Sequence, residues 1–229
     1  MRGKAGFAFV LLGVFSIILA GILTVVDWIG TDDELYRELQ MKAGILDAAG
    51  ISEEDLGLLD GALADCLKGN ENALEPLEVE VFGQVQPAFN ERERIHMEDC
   101  RQLFILLRQA RDAAGIAGPI LLILGALLLH DRGRIRRAAW IAPLVLLIPL
   151  GAFAIWAAAD FGAAFNFFHK LLFTNDLWLL DPRTDLLIRL CPASMFMSMG
   201  MRIGILSLTA MLAAPAAVSI CTSESKERA

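Results

Sequence analysis

The sequence lacks the short motifs by which many enzymes are identified. It contains no Gly-x-Ser-x-Gly turn, no His-Glu-x-x-His motif and no glycine-rich phosphate loop. Its four cysteines include no Cys-x-x-Cys pair and form no zinc-type Cys/His array, so we expect no structural metal. Only three histidines are present, at positions 96, 130 and 169.

Charge is missing from four long stretches of the chain. They are Ala5–Val26, Ala113–Leu129, Ala138–Ala159 and Ile203–Ser223. A helix needs about 20 residues to cross the hydrocarbon layer, and a preceding amphipathic helix can extend the shorter second stretch. The chain is 56% hydrophobic, above the roughly 45–50% of a soluble domain. We predict an all-α membrane protein with four transmembrane helices and a mostly helical extracytoplasmic domain after the first span.

Basic residues predict the orientation of these spans. Arg2 and Lys4 precede the first span, and four arginines lie between the second and third, which places both regions in the cytoplasm. The first span is too long for a signal-peptide core, so we interpret it as an uncleaved anchor. The predicted order is span 1–26, extracytoplasmic domain 27–112, span 113–130, cytoplasmic loop 131–137, span 138–159, extracytoplasmic or interfacial loop 160–202, span 203–223 and cytoplasmic tail 224–229.

The first outer segment, residues 27–112, is strongly acidic. It has 20 Asp and Glu against 8 Lys and Arg, a net charge of −12. This excludes nucleic acid as a partner, since phosphate binding needs basic patches. Leucine spacing predicts helices over residues 31–49 and 52–68, and alternation predicts an extended segment over 77–81. Cys66 and Cys100 can pair if the compartment is oxidising.

One histidine cluster lies at the start of a predicted helix before the second span. Asn90 is a suitable N-cap, and Glu93 is placed to reach back to it as in a capping box. His96 follows one turn later. Asp99 comes three residues after His96, so their side chains share a helix face.

The other cluster surrounds His169 in the second outer segment. Phe167, Phe168, Phe173 and Trp178 are typical of the membrane interface, so we expect this segment to be a loop in the headgroup region. His169, Asn175 and Asp176 would then be polar groups at lipid depth. The third histidine, His130, is interpreted as an interfacial residue on the cytoplasmic side.

The predicted topology puts His96 and His169 on one side of the membrane. Two imidazoles can act as base and acid during attack on an ester, with Asp99 orienting His96 and Asn175 or a backbone N–H stabilising the oxyanion. Each feature also has a simpler interpretation, because a lone histidine is often a packing residue and an aromatic cluster is often a membrane belt. Alternatives are a non-enzymatic sensor or scaffold with an acidic partner-binding domain, and a metal-dependent lipid hydrolase.

Both clusters resemble motifs of the lipoprotein intramolecular transacylase family of bacterial membrane proteins. Glu-x-x-His-Met-x-Asp corresponds to Glu93–Asp99, and Phe-His-x-x-x-Phe-x-Asn-Asp-x-Trp-x-Leu-Asp-Pro corresponds to Phe168–Pro182. The layout of four spans with a large outer segment after the first is also similar along nearly the whole chain. Residues 30–80 contribute little to the resemblance.

The resemblance implies an O-to-N acyl transfer within one lipoprotein. The sn-2 acyl chain of an amino-terminal S-diacylglyceryl cysteine moves to the α-amine of that cysteine, giving the N-acyl S-monoacylglyceryl (lyso) form. It implies no cofactor and no second lipid donor. In this interpretation His169 is the base or an acyl-accepting nucleophile and His96 is the acid, although the two roles can be exchanged.

The same resemblance implies the surroundings of the reaction. The predicted substrate-binding or orienting residues are Glu93, Asn175, Asp176, Trp178, Asp181, Phe168 and Phe173. The expected partners are the diacylated lipoprotein and membrane lipid, and we expect a monomer. The expected location is the bacterial cytoplasmic membrane, with both termini inside and the site on the extracytoplasmic face.

Overall fold

The computed structural model describes residues 2–224, and helices dominate this part of the chain. The described residues form nine helices and one two-stranded antiparallel sheet. These elements are α1 (Arg2–Gly30), α2 (Asp33–Lys42), α3 (Ile45–Ala49), α4 (Glu53–Lys68), β1 (Glu78–Val81), β2 (Gln84–Pro87), α5 (Glu91–Leu129), α6 (Arg132–Ala159), α7 (Phe161–Leu172), α8 (Leu186–Leu190) and α9 (Ala193–Glu224).

Four of the helices are long and apolar enough to cross a membrane. They are α1, α5, α6 and α9. Large apolar side chains on them are exposed, for example Ile116, Ile148 and Ile155. In a bilayer such side chains face lipid, while the helical hydrogen bonds satisfy the backbone. The predicted all-α membrane class with four spans is confirmed.

The chain divides into two compact units, of which the first is built from apolar helices. This unit contains α1 up to Val26, residues Arg108–Ala159, and α9 from Ile203 onward. Its core joins Val10, Val14 and Ile18 of α1 to small residues of α6, among them Ala138 and Ala142. Small residues let helix backbones approach closely, which is how apolar helices pack where burial from water gives no driving force.

Glycines make the contact between α1 and α5 possible in this unit. A Cβ atom added at Gly13 would lie 2.5 Å from the backbone nitrogen of Leu122. A Cβ atom added at Gly125 would lie 2.5 Å from the backbone nitrogen of Val10. Neither separation is tolerable for a carbon atom, so these two helices approach at distances that only glycine permits.

The second unit contains Asp27–Leu107 and Asp160–Arg202. Its helix α4 agrees with the prediction for residues 52–68: Ser52 caps its start by accepting a hydrogen bond from the Asp55 N–H, and Gly69 ends it in a left-handed conformation. The single helix predicted over residues 31–49 is wrong. Gly44 has a φ of 69°, and this left-handed residue separates α2 from α3.

Two further segments of this unit differ from the sequence-based expectations. The extended segment at 77–81 is strand β1, and it pairs with β2 in a hairpin that was not predicted. The expected interfacial loop at 160–202 instead contains helices α7 and α8 and the first ten residues of α9, which begins at Ala193 rather than at residue 203. Cys66 and Cys100 are free thiols.

Candidate functional site

His96 occupies a fixed position one turn into α5. Asn90 Oδ1 accepts a hydrogen bond from the Glu93 N–H, and Glu93 Oε2 accepts one from the Asn90 N–H at 2.8 Å. The predicted capping box is thus confirmed, and it fixes where the helix starts. The His96 side chain is only 7% exposed. Its ring meets the edge of Phe173 at a centroid distance of 5.1 Å.

His169 lies in the last turn of α7, whose start is capped by Asp160. Its Nδ1 is 2.8 Å from the carbonyl oxygen of Phe165, one turn earlier. Because a carbonyl only accepts, Nδ1 carries the hydrogen, and in the neutral ring Nε2 is the nitrogen with a free lone pair. Burial lowers the pKa of His169 below its usual value, and the bond to Phe165 opposes that shift only partly. The geometry makes Nε2 a proton acceptor at neutral pH.

Aromatic rings surround His169 and fix its orientation. Phe165 lies 4.0 Å from it between ring centroids, and Trp178 lies 5.0 Å away. Phe173 stacks on it at 5.7 Å and also touches His96. Trp178 is buried, and its indole N–H donates to the Asn175 carbonyl at 3.0 Å. Phe168 contacts the imidazole edge at 5.6 Å, but its own ring is 45% exposed.

The two histidines come together although 73 residues separate them in the chain. Their ring centroids are 6.2 Å apart, with 39° between the ring planes. A proton donor or acceptor acts over a heavy-atom distance of about 2.6–3.2 Å, so a small group bound between the rings can reach both. The arrangement is therefore suited to removing a proton from one atom of a substrate and supplying one to another.

Polar bonds tie the segment that follows His169 to α5. Asn175 Nδ2 donates to Asp99 Oδ2 at 2.9 Å. Arg92 donates to the backbone carbonyls of Asp176 and Leu177. Among residues 2–224, the side-chain hydrogen bond of Asp99 goes to Asn175, not to His96 as we expected. Arg92 and Asp99 thus hold the segment after His169 in place in the resting site.

Glu93 has a second partner beyond its own helix. Its Oε1 accepts a hydrogen bond from the Leu187 N–H at 2.6 Å, in the first turn of α8. The side chain is 1% exposed, so both carboxylate oxygens are buried and bonded. One carboxylate therefore satisfies the starts of two helices, which is a structural task for a residue of the first motif.

Asp181 lies in the turn before α8. It pairs with Arg183 at 2.6 Å, and its backbone N–H donates to Asp185 Oδ2 at 2.7 Å. The hydrogen bond from the Arg183 guanidinium lowers the pKa of Asp181 to about 2. These contacts make Asp181 a turn-forming residue in the resting structure.

Comparison with known proteins identifies the family. The model of the family described as lipoprotein intramolecular transacylase Lit matches residues 11–196. The chain belongs to this family. A structure of the integral membrane transacylase Lit from Bacillus cereus is 19% identical, with a TM-score of 0.76 over 99% of this chain and 100% of that one. Two histidine-substituted forms of the same Bacillus cereus protein, also 19% identical, give TM-scores of 0.75 and 0.74 over 100% of this chain and 96% and 98% of theirs. A search of curated protein sequences found no significant match.

The transacylase is thus an integral membrane enzyme of the acyl-transferring class. Within residues 2–224, no three His, Cys, Asp or Glu side chains are grouped so that they could hold a metal ion. The groups suited to proton transfer at this site are the imidazoles of His96 and His169.

Three residues of the candidate site were not predicted from the sequence. Phe165 precedes His169 by four positions, and Cys100 follows His96 by four, where its thiol lies 3.7 Å from the imidazole Nε2. Arg92 was one charge among several in its cluster. Helical spacing from each histidine would have indicated the first two, while the bond from Arg92 depends on tertiary structure.

Proposed function

We propose that this transacylase moves the sn-2 acyl chain of an amino-terminal S-diacylglyceryl cysteine to the α-amine of the same residue. The product is the N-acyl S-monoacylglyceryl lipoprotein. The family supports the reaction class. The observation that carries the mechanism is the pair of imidazoles, buried in His96 and half-buried in His169, whose centroids are 6.2 Å apart. Ester and amine belong to one molecule, so positioning supplies much of the rate.

His169 is proposed as the base because its Nε2 has the free lone pair. The neutral amine, whose reference pKa is about 7.7–8.0, adds to the ester carbonyl carbon and gives its proton to His169 Nε2. The carbon–oxygen bond then breaks, and His96 gives a proton to the departing sn-2 oxygen. In the same step, the proton held by His169 passes to His96 and replaces the one that His96 gave up. One N–C bond forms, one C–O bond breaks, and both rings return to the neutral state without water or a second lipid.

The other predicted residues have supporting roles in this proposal. Phe173 and Trp178 hold the His169 ring, and exposed Phe168 is available to an acyl chain. Asp99 and Asn175 hold the segment after His169, and the Asn175 amide can turn to the oxyanion when substrate binds. Glu93 and Asp181 position the backbone through their carboxylates. Asp176 is held through its backbone carbonyl, which accepts a hydrogen bond from Arg92.

The proposed setting follows from the charge pattern. The enzyme acts as a monomer in the bacterial cytoplasmic membrane, with both termini in the cytoplasm. The site faces the opposite side, where the diacylated lipoprotein is presented in the outer leaflet. The short basic loop 131–137 supports this orientation.

The test is to express the chain in a bacterium that lacks the activity and to weigh the amino-terminal lipopeptides of a model lipoprotein. The wild type should give the lyso form, and His96→Ala or His169→Ala should each reduce it by at least about 100-fold. His130→Ala, the third histidine, is the matched control and should retain the product. Full activity of both active-site variants would refute the mechanism. Transfer of label from an isotopically labelled phospholipid to the amine would refute intramolecular transfer.

A further inference from the structure

The two ring nitrogens of His96 have different surroundings. Nε2 lies 3.7 Å from the Cys100 sulfur, one helical turn along α5. Nδ1 is buried and makes no hydrogen bond to any group within residues 2–224. Buried polar atoms nearly always have partners, and a functional role is one reason for an exception. Since the ring is 7% exposed, bulk water does not readily supply that partner.

The arrangement at His169 is the reverse. There Nδ1 is held by the Phe165 carbonyl, and Nε2 is the nitrogen left available. Each imidazole thus has one nitrogen engaged by its own helix and one that is not. The engaged nitrogens are Nε2 in His96 and Nδ1 in His169.

We propose that Cys100 is a positioning residue for His96: its thiol engages Nε2 and so directs His96 to exchange its proton with the substrate through Nδ1. The proposal rests on the function proposed above, since it assigns the atom by which His96 acts. It makes Cys100 a partner of the acid and gives it no contact with the reacting atoms.

A thiol suits this task because it both donates and accepts hydrogen bonds. It can accept from an Nε2–H when Nδ1 is unprotonated, and it can donate to Nε2 when Nδ1 carries the proton. During the proposed transfer the Nδ1 proton goes to the sn-2 oxygen and is replaced from His169. The thiol can bond to the ring throughout and has no net gain or loss of a proton.

Cys66 provides a matched control. It is 4% exposed, and its sulfur lies 3.8 Å from the Met97 carbonyl oxygen, so it is a buried thiol whose described partner is a backbone group. Cys66→Ala removes the same atoms as Cys100→Ala without removing a partner of an imidazole. Any effect common to both variants reports lost packing.

The kinetic test uses the purified full-length enzyme in lipid and a synthetic diacylated lipopeptide. Cys100→Ala should lower kcat about tenfold with little change in KM, as expected for loss of one modest hydrogen bond to the acid. It should also displace the limb of the pH profile that belongs to His96. Cys100→Ser restores a group that donates and accepts, and it should recover most of the rate. Cys66→Ala should match the wild type.

A spectroscopic test needs no turnover. With ¹⁵N in the histidine rings only three residues contribute signals, and His96→Ala assigns that of His96. Cys100→Ala should shift the Nε2 resonance of His96 and its tautomer ratio, while Cys66→Ala should leave both unchanged.

Unchanged His96 resonances in Cys100→Ala would overturn the proposal, and so would equal losses of kcat in the two alanine variants. Either result can occur in an enzyme that still makes the lyso form and still needs His96, so the proposed function would stand. If the wild type made no lyso form, that function would fail, and the spectra alone would decide whether Cys100 sets the state of the ring.

Discussion

Replacing Glu93 with alanine should destabilise the second unit strongly while changing the chemistry little. The carboxylate accepts hydrogen bonds from the Asn90 N–H at 2.8 Å and from the Leu187 N–H at 2.6 Å. It is 1% exposed, so water cannot readily take its place. Alanine at position 93 leaves two donors unpaired, one at the start of α5 and one at the start of α8.

The expected magnitude follows from these two bonds. A buried donor left without a partner costs about 1–3 kcal/mol, and loss of a helix cap typically costs about 1 kcal/mol. We expect Glu93→Ala to lower the free energy of unfolding by about 3 kcal/mol. For a chain of this size that corresponds to a fall in Tm of roughly 6–12 °C. Glu93→Gln keeps one accepting oxygen and should lose about half as much.

The assay combines thermal unfolding with kinetics. In a Cys221→Ala background, which removes the already exposed thiol, a thiol-reactive fluorophore reports the exposure of Cys66, Cys100 and Cys191 on heating. The kcat is measured well below the lower Tm. The control is Glu91→Ala, which removes an exposed acid from the first residue of the same helix. It should change the free energy of unfolding by less than about 0.5 kcal/mol. A Glu93→Gln enzyme with wild-type Tm and no turnover would refute the reasoning, because the carboxylate would then act on the substrate.

Asn175→Ala removes the bond to Asp99 and should lower kcat about tenfold, whereas Tm should fall by only a degree or two because the site of the bond is exposed; an unchanged kcat contradicts this. Gly13→Ala should lower Tm by several degrees through overpacking of about 1–3 kcal/mol, while Gly200→Ala, where a Cβ meets open space, should not. Burial raises the pKa of Asp60 to about 6, so the folded protein binds a proton at about pH 4–6 that the unfolded chain releases. The free energy of unfolding of the wild type should therefore fall by on the order of 2 kcal/mol as pH rises from about 4 to 6. Asp60→Asn should not show this fall when Tm is measured across the same pH range. Burial lowers the pKa of His169, so, if His169 acts as the proposed base, the acid limb of kcat should lie below pH 6.5, separate from the limb of the substrate amine. An acid limb above pH 6.5 contradicts the burial argument.

Signals that act within one turn of helix could be predicted from the sequence. The capping box at Asn90, the cap at Ser52 and the stop at Gly69 each depend on residues at most four positions apart. The apolar runs were equally local, because membrane-spanning length and absence of charge are properties of a single stretch. These features gave the class of the fold and the start of the helix that carries His96.

Features that depend on another part of the chain could not be predicted in this way. Strand β2 is exposed along its whole length, so it shows no alternation of buried and exposed residues, and only its pairing with β1 defines it. Helix α7 was obscured by its aromatic residues, which indicated a membrane interface more strongly than they indicated a helix. The hydrogen bond between Asp99 and Asn175 joins residues 76 positions apart, and no local sequence pattern predicts it.

Helix α5 carries His96 together with side chains that anchor the segment after His169. Residues 92, 96 and 99 follow one another at four and three positions and share a face of this helix. Arg92 and Asp99 hold the segment after His169 from either side of His96 along the helix, and Glu93 holds the start of α8. His96 and the anchors for the segment that follows His169 are therefore carried by two turns of one capped helix. A rigid element of this kind can hold two side chains in a productive arrangement even though 72 intervening residues connect them in the chain.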